Sequence, residues 1–243
     1  MGVTGGTKSI ITEGLHYYMD PGNSDAYPGS GTSVNAVSGP VPAGTLGASN
    51  VFSSDDGGIF DFDGATDYVQ VASNGSTAGF NVSTYTICVW AKPTGTGAYD
   101  QLFSYDYTAH SPPYYAIHFR GYPTSNAMIL SYNSAGSYSS ATYLVAAGGN
   151  NYFENGEWNM YSATFSNTGT SSDAKIYKNE TRIAHVTRTQ SPPSFYDQEV
   201  WLGKANFASG QFDGGYGPTM FYQKVLTQEE ITQNYNALKS RFK

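Results

Sequence analysis

Ile59-Phe60-Asp61-Phe62-Asp63-Gly64-Ala65-Thr66-Asp67-Tyr68-Val69-Gln70-Val71-Ala72 decides the fold class. Phe60 and Phe62 alternate with Asp61 and Asp63, and Val69 and Val71 flank Gln70. That period of two belongs to half-buried strands, and Gly64 with its small neighbours supplies a break between them. Strands are therefore predicted over 59–62 and 67–72. The same pattern recurs upstream and downstream, over 15–19, 85–92, 101–105, 115–120, 128–132, 142–145, 158–165, 175–178, 182–187, 199–203 and 219–222. Gly-, Ser-, Pro- and Asn-rich segments separate these strands, and the longest of them, 21–49, reads as an ordered loop. Residues 175–186 read as a hairpin turning at Asn179-Glu180, although Glu is a poor residue where φ is positive.

One helix is predicted, over 227–239. Thr227 caps it, Glu230 completes a capping box, and Leu226 with Ile231 forms a hydrophobic staple. Ile231, Tyr235, Leu238 and Phe242 share one face, and Lys239, Arg241 and Lys243 lie near the negative end of the helix dipole. A single helix excludes parallel α/β folds, which need one between successive strands. No composition shift marks a linker and no period of 20–50 residues recurs. The expectation is an extended N-terminal arm, 1–13, followed by one sandwich domain, 14–243, that includes the helix.

Composition agrees. Aromatic residues make up 15% of the 243, with 21 Tyr and 13 Phe, which suits pleated surfaces. Charged residues are 13%, about half the roughly 25% typical of soluble domains. A formal net charge of −7 argues against nucleic acid as a partner, since a phosphate backbone needs clustered Lys and Arg. No apolar run of about 20 residues offers a membrane span, and the segment 1–14 has no apolar h-region, so no secretory signal peptide is expected. Cys88 is the only cysteine, so no intrachain disulfide is available, and its apolar neighbours predict a buried thiol.

Four segments carry a resemblance. They are Gly14-Leu15-His16-Tyr17-Tyr18-Met19-Asp20-Pro21-Gly22-Asn23 with Tyr27-Pro28-Gly29-Ser30-Gly31-Thr32; Phe62-Asp63-Gly64-Ala65-Thr66-Asp67-Tyr68-Val69; Tyr85-Thr86-Ile87-Cys88-Val89-Trp90-Ala91-Lys92-Pro93; and Phe221-Tyr222-Gln223-Lys224-Val225-Leu226-Thr227, running on to Arg241-Phe242. In this order they resemble the laminin-G-like domains of the concanavalin A-like lectin and glucanase superfamily, of the kind found in tailed-bacteriophage virion proteins. The resemblance implies an all-β, two-sheet antiparallel jelly-roll sandwich with one C-terminal α-helix. The sequence departs from the family pattern at Val34, Ala36 and Gly217.

The best acidic cluster is Asp61, Asp63 and Asp67, with Asp55 and Asp56 upstream and Asp213 in a closing strand. Calcium is the ion such oxygens would take, but three carboxylates supply only part of a shell of six to eight oxygens. Strand alternation gives the simpler reading: Asp61 and Asp63 point to solvent, with Asp63 at a turn. The spacing of Asp61 and Asp63 also permits a glycosidase pair, yet nothing nearby suggests a raised pKa. Nucleophile, zinc and phosphate-loop motifs are absent, and His16, His110, His118 and His185 are scattered. Asn179-Glu180-Thr181 fits a glycosylation sequon only formally. Loop tyrosines remain, among them Tyr107, Tyr114, Tyr115 and Tyr138, whose rings suit either a sugar or a protein partner.

The expected function is non-enzymatic: a virion structural protein, a capsid decoration or tail-associated component assembled in the host cytoplasm. It would dock on other virion proteins in a homo- or hetero-oligomeric assembly. The alternative is a lectin-like module that binds surface glycan, and a polysaccharide hydrolase ranks third. No cofactor is expected beyond that calcium reading.

Overall fold

The computed structural model describes residues 9–48, 51–95, 99–106, 115–133, 141–146, 152–153, 156–205 and 210–243, and of Tyr115 and residues 141–146 the backbone alone. The strands in chain order are β1 Leu15–Met19, β2 Ser33–Val34, β3 Gly44–Leu46, β4 Phe52–Ser53, β5 Ile59–Asp63, β6 Val69–Ala72, β7 Thr84–Pro93 and β8 Asp100–Asp106. They continue as β9 Tyr115–Tyr122, β10 Ala127–Asn133, β11 Ala141–Ala146, β12 Asn159–Asn167, β13 Ser171–Lys178, β14 Thr181–Thr189, β15 Glu199–Leu202 and β16 Asp213–Tyr222. Two antiparallel sheets result. The first runs β14-β13-β12-β7-β16-β5-β4, with β1 also on β16, and the second runs β11-β10-β9-β8-β15-β6-β3-β2. This is the two-sheet sandwich predicted. The segment 21–49 is not all loop, because β2 and β3 pair with each other within it and add an edge to β6. Strands of two and three residues are too short to show alternation.

The opening stretch divides between the sheets. β5 pairs with β16 and β6 with β15, so residues 64–68 form a corner from one layer to the other. Asp63 shapes it: its Oδ1 accepts the backbone N–H groups of Ala65, Thr66 and Asp67 at 2.8, 2.7 and 3.1 Å. Gly64 takes φ +70° there, a conformation that favours glycine. Phe60, Phe62 and Val69 of this stretch are buried between the layers with Phe80, Phe103, Tyr216 and Phe221. The edge-to-face contact of Phe80 and Phe221, 4.9 Å between centroids, is typical of this aromatic core.

The helix α1, Gln228–Leu238, closes the outer face of the first sheet. Its capping box forms as expected, with Thr227 accepting from Glu230 N–H and Glu230 accepting from Thr227 N–H. Leu226, Ile231 and Phe242 bury themselves on Cys88, Trp90, Met160, Met220 and Tyr222. Trp90 stacks against Phe242 at 4.6 Å and Tyr235 at 5.5 Å. Of the expected N-terminal arm, the described residues dock on the chain's own helix: Ile11 N–H donates to Asn234 Oδ1 at 2.8 Å, and Gln233 Nε2 donates to Ser9 O at 2.8 Å. At the β13–β14 hairpin only Asn179 takes positive φ, +56°, and Glu180 is spared it. Asn179 Oδ1 accepts from Met160 N–H and its Nδ2 donates to Asn159. The sequon asparagine is thus committed to the strand beside it.

Candidate functional site

The two sheets present opposite outer faces. That of the first is apolar under α1. On the second, Val69, Val71, Leu102, Tyr105, Ile117, Phe119, Leu130, Tyr132, Val200 and Leu202 point to the core. Alternation then sends the polar residues between them outward. Strand register aligns these, with Trp201 among them, into one row across six strands: Thr45 opposite Gln70, Gln70 opposite Trp201, Trp201 opposite Ser104, Ser104 opposite His118, and His118 opposite Ser131. Glu199 lies opposite Asp106 in the adjoining row.

The row has a buried half and an open half. Ser104, Asp106, His118, Arg120 and Ser131 are buried. His118 Nε2 lies 2.9 Å from Asp106 Oδ2, Ser104 Oγ donates to Lys204 O at 2.7 Å, and the Arg120 guanidinium covers the rings of Tyr99 and Tyr122. At the open half Gln70 of the row stands with Tyr68, Glu199 and Lys204 beside it, all partly exposed. Gln70 Nε2 donates to Glu199 Oε1 at 2.9 Å. Lys204 Nζ sits 3.9 Å from the Tyr68 ring centroid and 4.9 Å from that of Trp201, a cation–π arrangement that leaves Trp201 only 3% exposed. Burial raises the Glu199 carboxyl above its ordinary value, with Asp106 adding to this and Lys204 and Gln70 opposing it. Burial also lowers the Lys204 ammonium, against the attraction of Glu199. Amide, carboxylate and ammonium groups beside aromatic rings can meet a ligand that has both hydroxyls and an apolar face.

The expected site residues fall elsewhere. Asp61 is exposed on β5, and the carboxylate oxygens of Asp63 are committed to the corner, its Oδ2 accepting from Thr66 Oγ1 at 3.0 Å. Asp67 Oδ2 accepts from Asp63 N–H at 3.1 Å. Burial pushes the Asp63 carboxyl up, but the hydrogen bonds from Thr66, Ala65 and Asp67 outweigh it and hold it down at about 2. A carboxyl so held is ionised at neutral pH and unsuited to the general-acid role of a glycosidase pair, and its hydrogen bonds show it shaping the corner. Among the described residues no group of three or more His, Cys, Asp or Glu is placed to hold a metal. The calcium reading of Asp61, Asp63 and Asp67 gains no support from this geometry, in which Asp63 serves the corner. Tyr107, Tyr114 and Tyr138 lie outside the described residues, and Tyr115 opens β9 opposite Asp106, its backbone alone described. Sequence reasoning missed the polar row, whose only signal was a polar residue at alternate positions of predicted strands.

Comparison with known proteins places the chain. A family model described as the concanavalin A-like lectin/glucanases superfamily, laminin-G type, matches residues 63–232. No curated protein matches the sequence. Among solved structures, domain 4 of an extracellular GH43 arabinanase from Geobacillus stearothermophilus, in complex with arabinotriose, is similar with a TM-score of 0.64 and 17% identity, over 90% of this chain and 96% of that one. The CBM40 of Ruminococcus gnavus IT-sialidase, bound to α2,3-sialyllactose, has a TM-score of 0.59 and 15% identity over 72% and 94%. The receptor binding domain of botulinum neurotoxin type G has a TM-score of 0.62 and 9% identity over 91% and 50%. At such identities the likeness is one of fold.

Proposed function

The chain belongs to the concanavalin A-like lectin/glucanase superfamily, and from that premise we propose that it is a carbohydrate-binding module that takes its sugar on the outer face of the second sheet. The observation that carries this is the contrast between the two outer faces. One is sealed by α1 and the Trp90–Phe242 stack, and the other presents Tyr68, Gln70, Glu199 and Lys204 around a cation–π centre. Sugar rings offer hydroxyls at their rim and C–H groups on their faces, which is the complement of such a surface. The similar structures solved with arabinotriose and sialyllactose support this reading over the expected docking on virion proteins.

Titration against an array of neutral and acidic oligosaccharides tests it. The full chain should bind at least one glycan at millimolar concentration or better, and Lys204→Ala and Glu199→Gln should each weaken binding at least fivefold without lowering the melting temperature by more than a few degrees. No binding to any glycan at 10-fold higher concentration (on the order of 10 mM, where ΔG is only about −3 kcal/mol) sinks the proposal. Release of reducing sugar that Glu199→Gln abolishes would replace binding with hydrolysis.

A further inference from the structure

A pocket of about 220 Å³ opens at the end of the polar row, over β3, β6 and the segment that follows them. Its polar side chains are Thr45, Gln70, Ser73, Asn74 and Thr77, and its apolar ones include Pro42, Ala43 and Ala72. None of the lining side chains is ionisable, in a chain whose formal charge is −7. The volume lies below the roughly 300–1,000 Å³ of drug-sized sites, so it admits one small ring and not a chain of them.

Its polar groups divide into those already engaged and those left for a ligand. Asn74 Oδ1 accepts from Thr77 N–H at 3.0 Å, and Thr77 Oγ1 donates to Asn74 O at 3.2 Å, which fixes the far wall. Gln70 Nε2 is held by Glu199, which leaves Gln70 Oε1 as an acceptor. Thr45 and Ser73 are exposed, and their hydroxyls have no hydrogen-bond partner among the described residues. Gln70 also connects the pocket to the proposed face, because it stands directly opposite Trp201 and adjacent strands are about 4.8 Å apart, close to the length of one sugar ring.

Resting on the carbohydrate-binding reading above, the geometry points to this pocket as the subsite for a single uncharged sugar ring, the terminal residue of a glycan whose next residue lies over Lys204. A carboxylate-bearing terminal ring has no cation within the pocket to receive it, and burying it there would leave its charge unpaired. Specificity therefore arises from neutral hydroxyl recognition at the end of the chain, with charge read one residue further in.

The test uses the same oligosaccharide array with the variants Thr45→Trp and Ala43→Phe, which fill the pocket from exposed positions. Glycans that bind should end in a neutral ring, and both variants should weaken them at least tenfold while Lys204→Ala acts independently. Side-chain amide NMR signals of Gln70 and Asn74 should shift when the bound glycan is added. Binding that Lys204→Ala weakens and Thr45→Trp leaves within twofold overturns the pocket and keeps the proposed function. Binding confined to glycans with a carboxylate on the terminal ring also overturns the pocket. Weakening by Thr45→Trp with no effect of Lys204→Ala or Glu199→Gln supports the pocket and overturns the wider face, and no glycan binding at all overturns both.

Discussion

Arg241 Nη1 donates to both carboxylate oxygens of Asp20, at 2.7 and 2.8 Å, tying the end of the chain to the end of β1. Arg241 Nε also donates to Asp56 O at 2.7 Å, and Nη2 to Gly58 O. Gly22 is needed beside them, because a Cβ there would run into Gly57 O and the guanidinium. Asp20 is 7% exposed, so removing its partner leaves a nearly buried carboxylate. Arg241→Ala should cost about 3 kcal/mol in urea unfolding. Arg241→Lys should recover less than half of that, since an ammonium cannot reach the four acceptors as a planar fork does. A loss within 0.5 kcal/mol of wild type (the range of ordinary surface substitutions) would make the clamp incidental.

Deleting residues 227–243 removes α1 and the clamp together and uncovers Trp90, Cys88, Met160 and Met220, which are all but inaccessible in the full chain. Each large apolar side chain so exposed forfeits roughly 1.5–3 kcal/mol, against a total of about 5–15 kcal/mol for a domain. The truncated chain should be insoluble or bind a hydrophobic dye. A soluble product melting within a few degrees of wild type would show the helix to be an appendage. The milder Thr227→Ala should cost about 1 kcal/mol through the lost cap.

The helix was legible in the sequence because every signal for it is local: the capping box, the staple and the 3.6-residue spacing lie within the seventeen residues 226–242. Strand alternation was legible for the same reason, and 85–92 differs from Thr84–Pro93 only at its ends. Cys88 is buried as predicted, and burial raises its thiol to about 11. The polar row was not legible, because Ser104, His118 and Trp201 each look like one side chain of one strand. Only register across β8, β9 and β15 brings them together. Arg241 likewise read as a partner for the helix dipole, whereas its real partner is a carboxylate 221 residues away.

Asp63→Ala removes the acceptor of three backbone N–H groups at the corner between the sheets. The carboxyl is held at about 2 against its ordinary 3.8. Its contribution is therefore present above pH 4 and lost as pH falls toward 2. Asp63 is exposed, and screening by solvent reduces the effect to about 1 kcal/mol. The variant should melt a few degrees lower at pH 7 in calcium and in chelator alike, and the gap should close near pH 2. A loss seen only with calcium present would restore the ion to this cluster.

Asp100, the first residue of β8, supplies the opposite pH dependence. It is 1% exposed and its Oδ2 has no hydrogen-bond partner among the described residues. Burial raises its carboxyl from 3.8 to about 7, helped by the charge of Asp213 and opposed by the Asp213 backbone N–H. Between those two values the folded chain keeps a proton that the unfolded chain has lost, so the stability from this group falls as pH rises through the window. The full shift corresponds to at most about 4 kcal/mol. Asp100→Asn keeps the shape and removes the ionisation. It should raise the melting temperature by several degrees at pH 8, and the gain should shrink steadily toward pH 4. An equal effect of the substitution at both pH values would mean that Asp100 does not change its proton on unfolding, and the buried carboxyl would have to be ionised or neutral in both states.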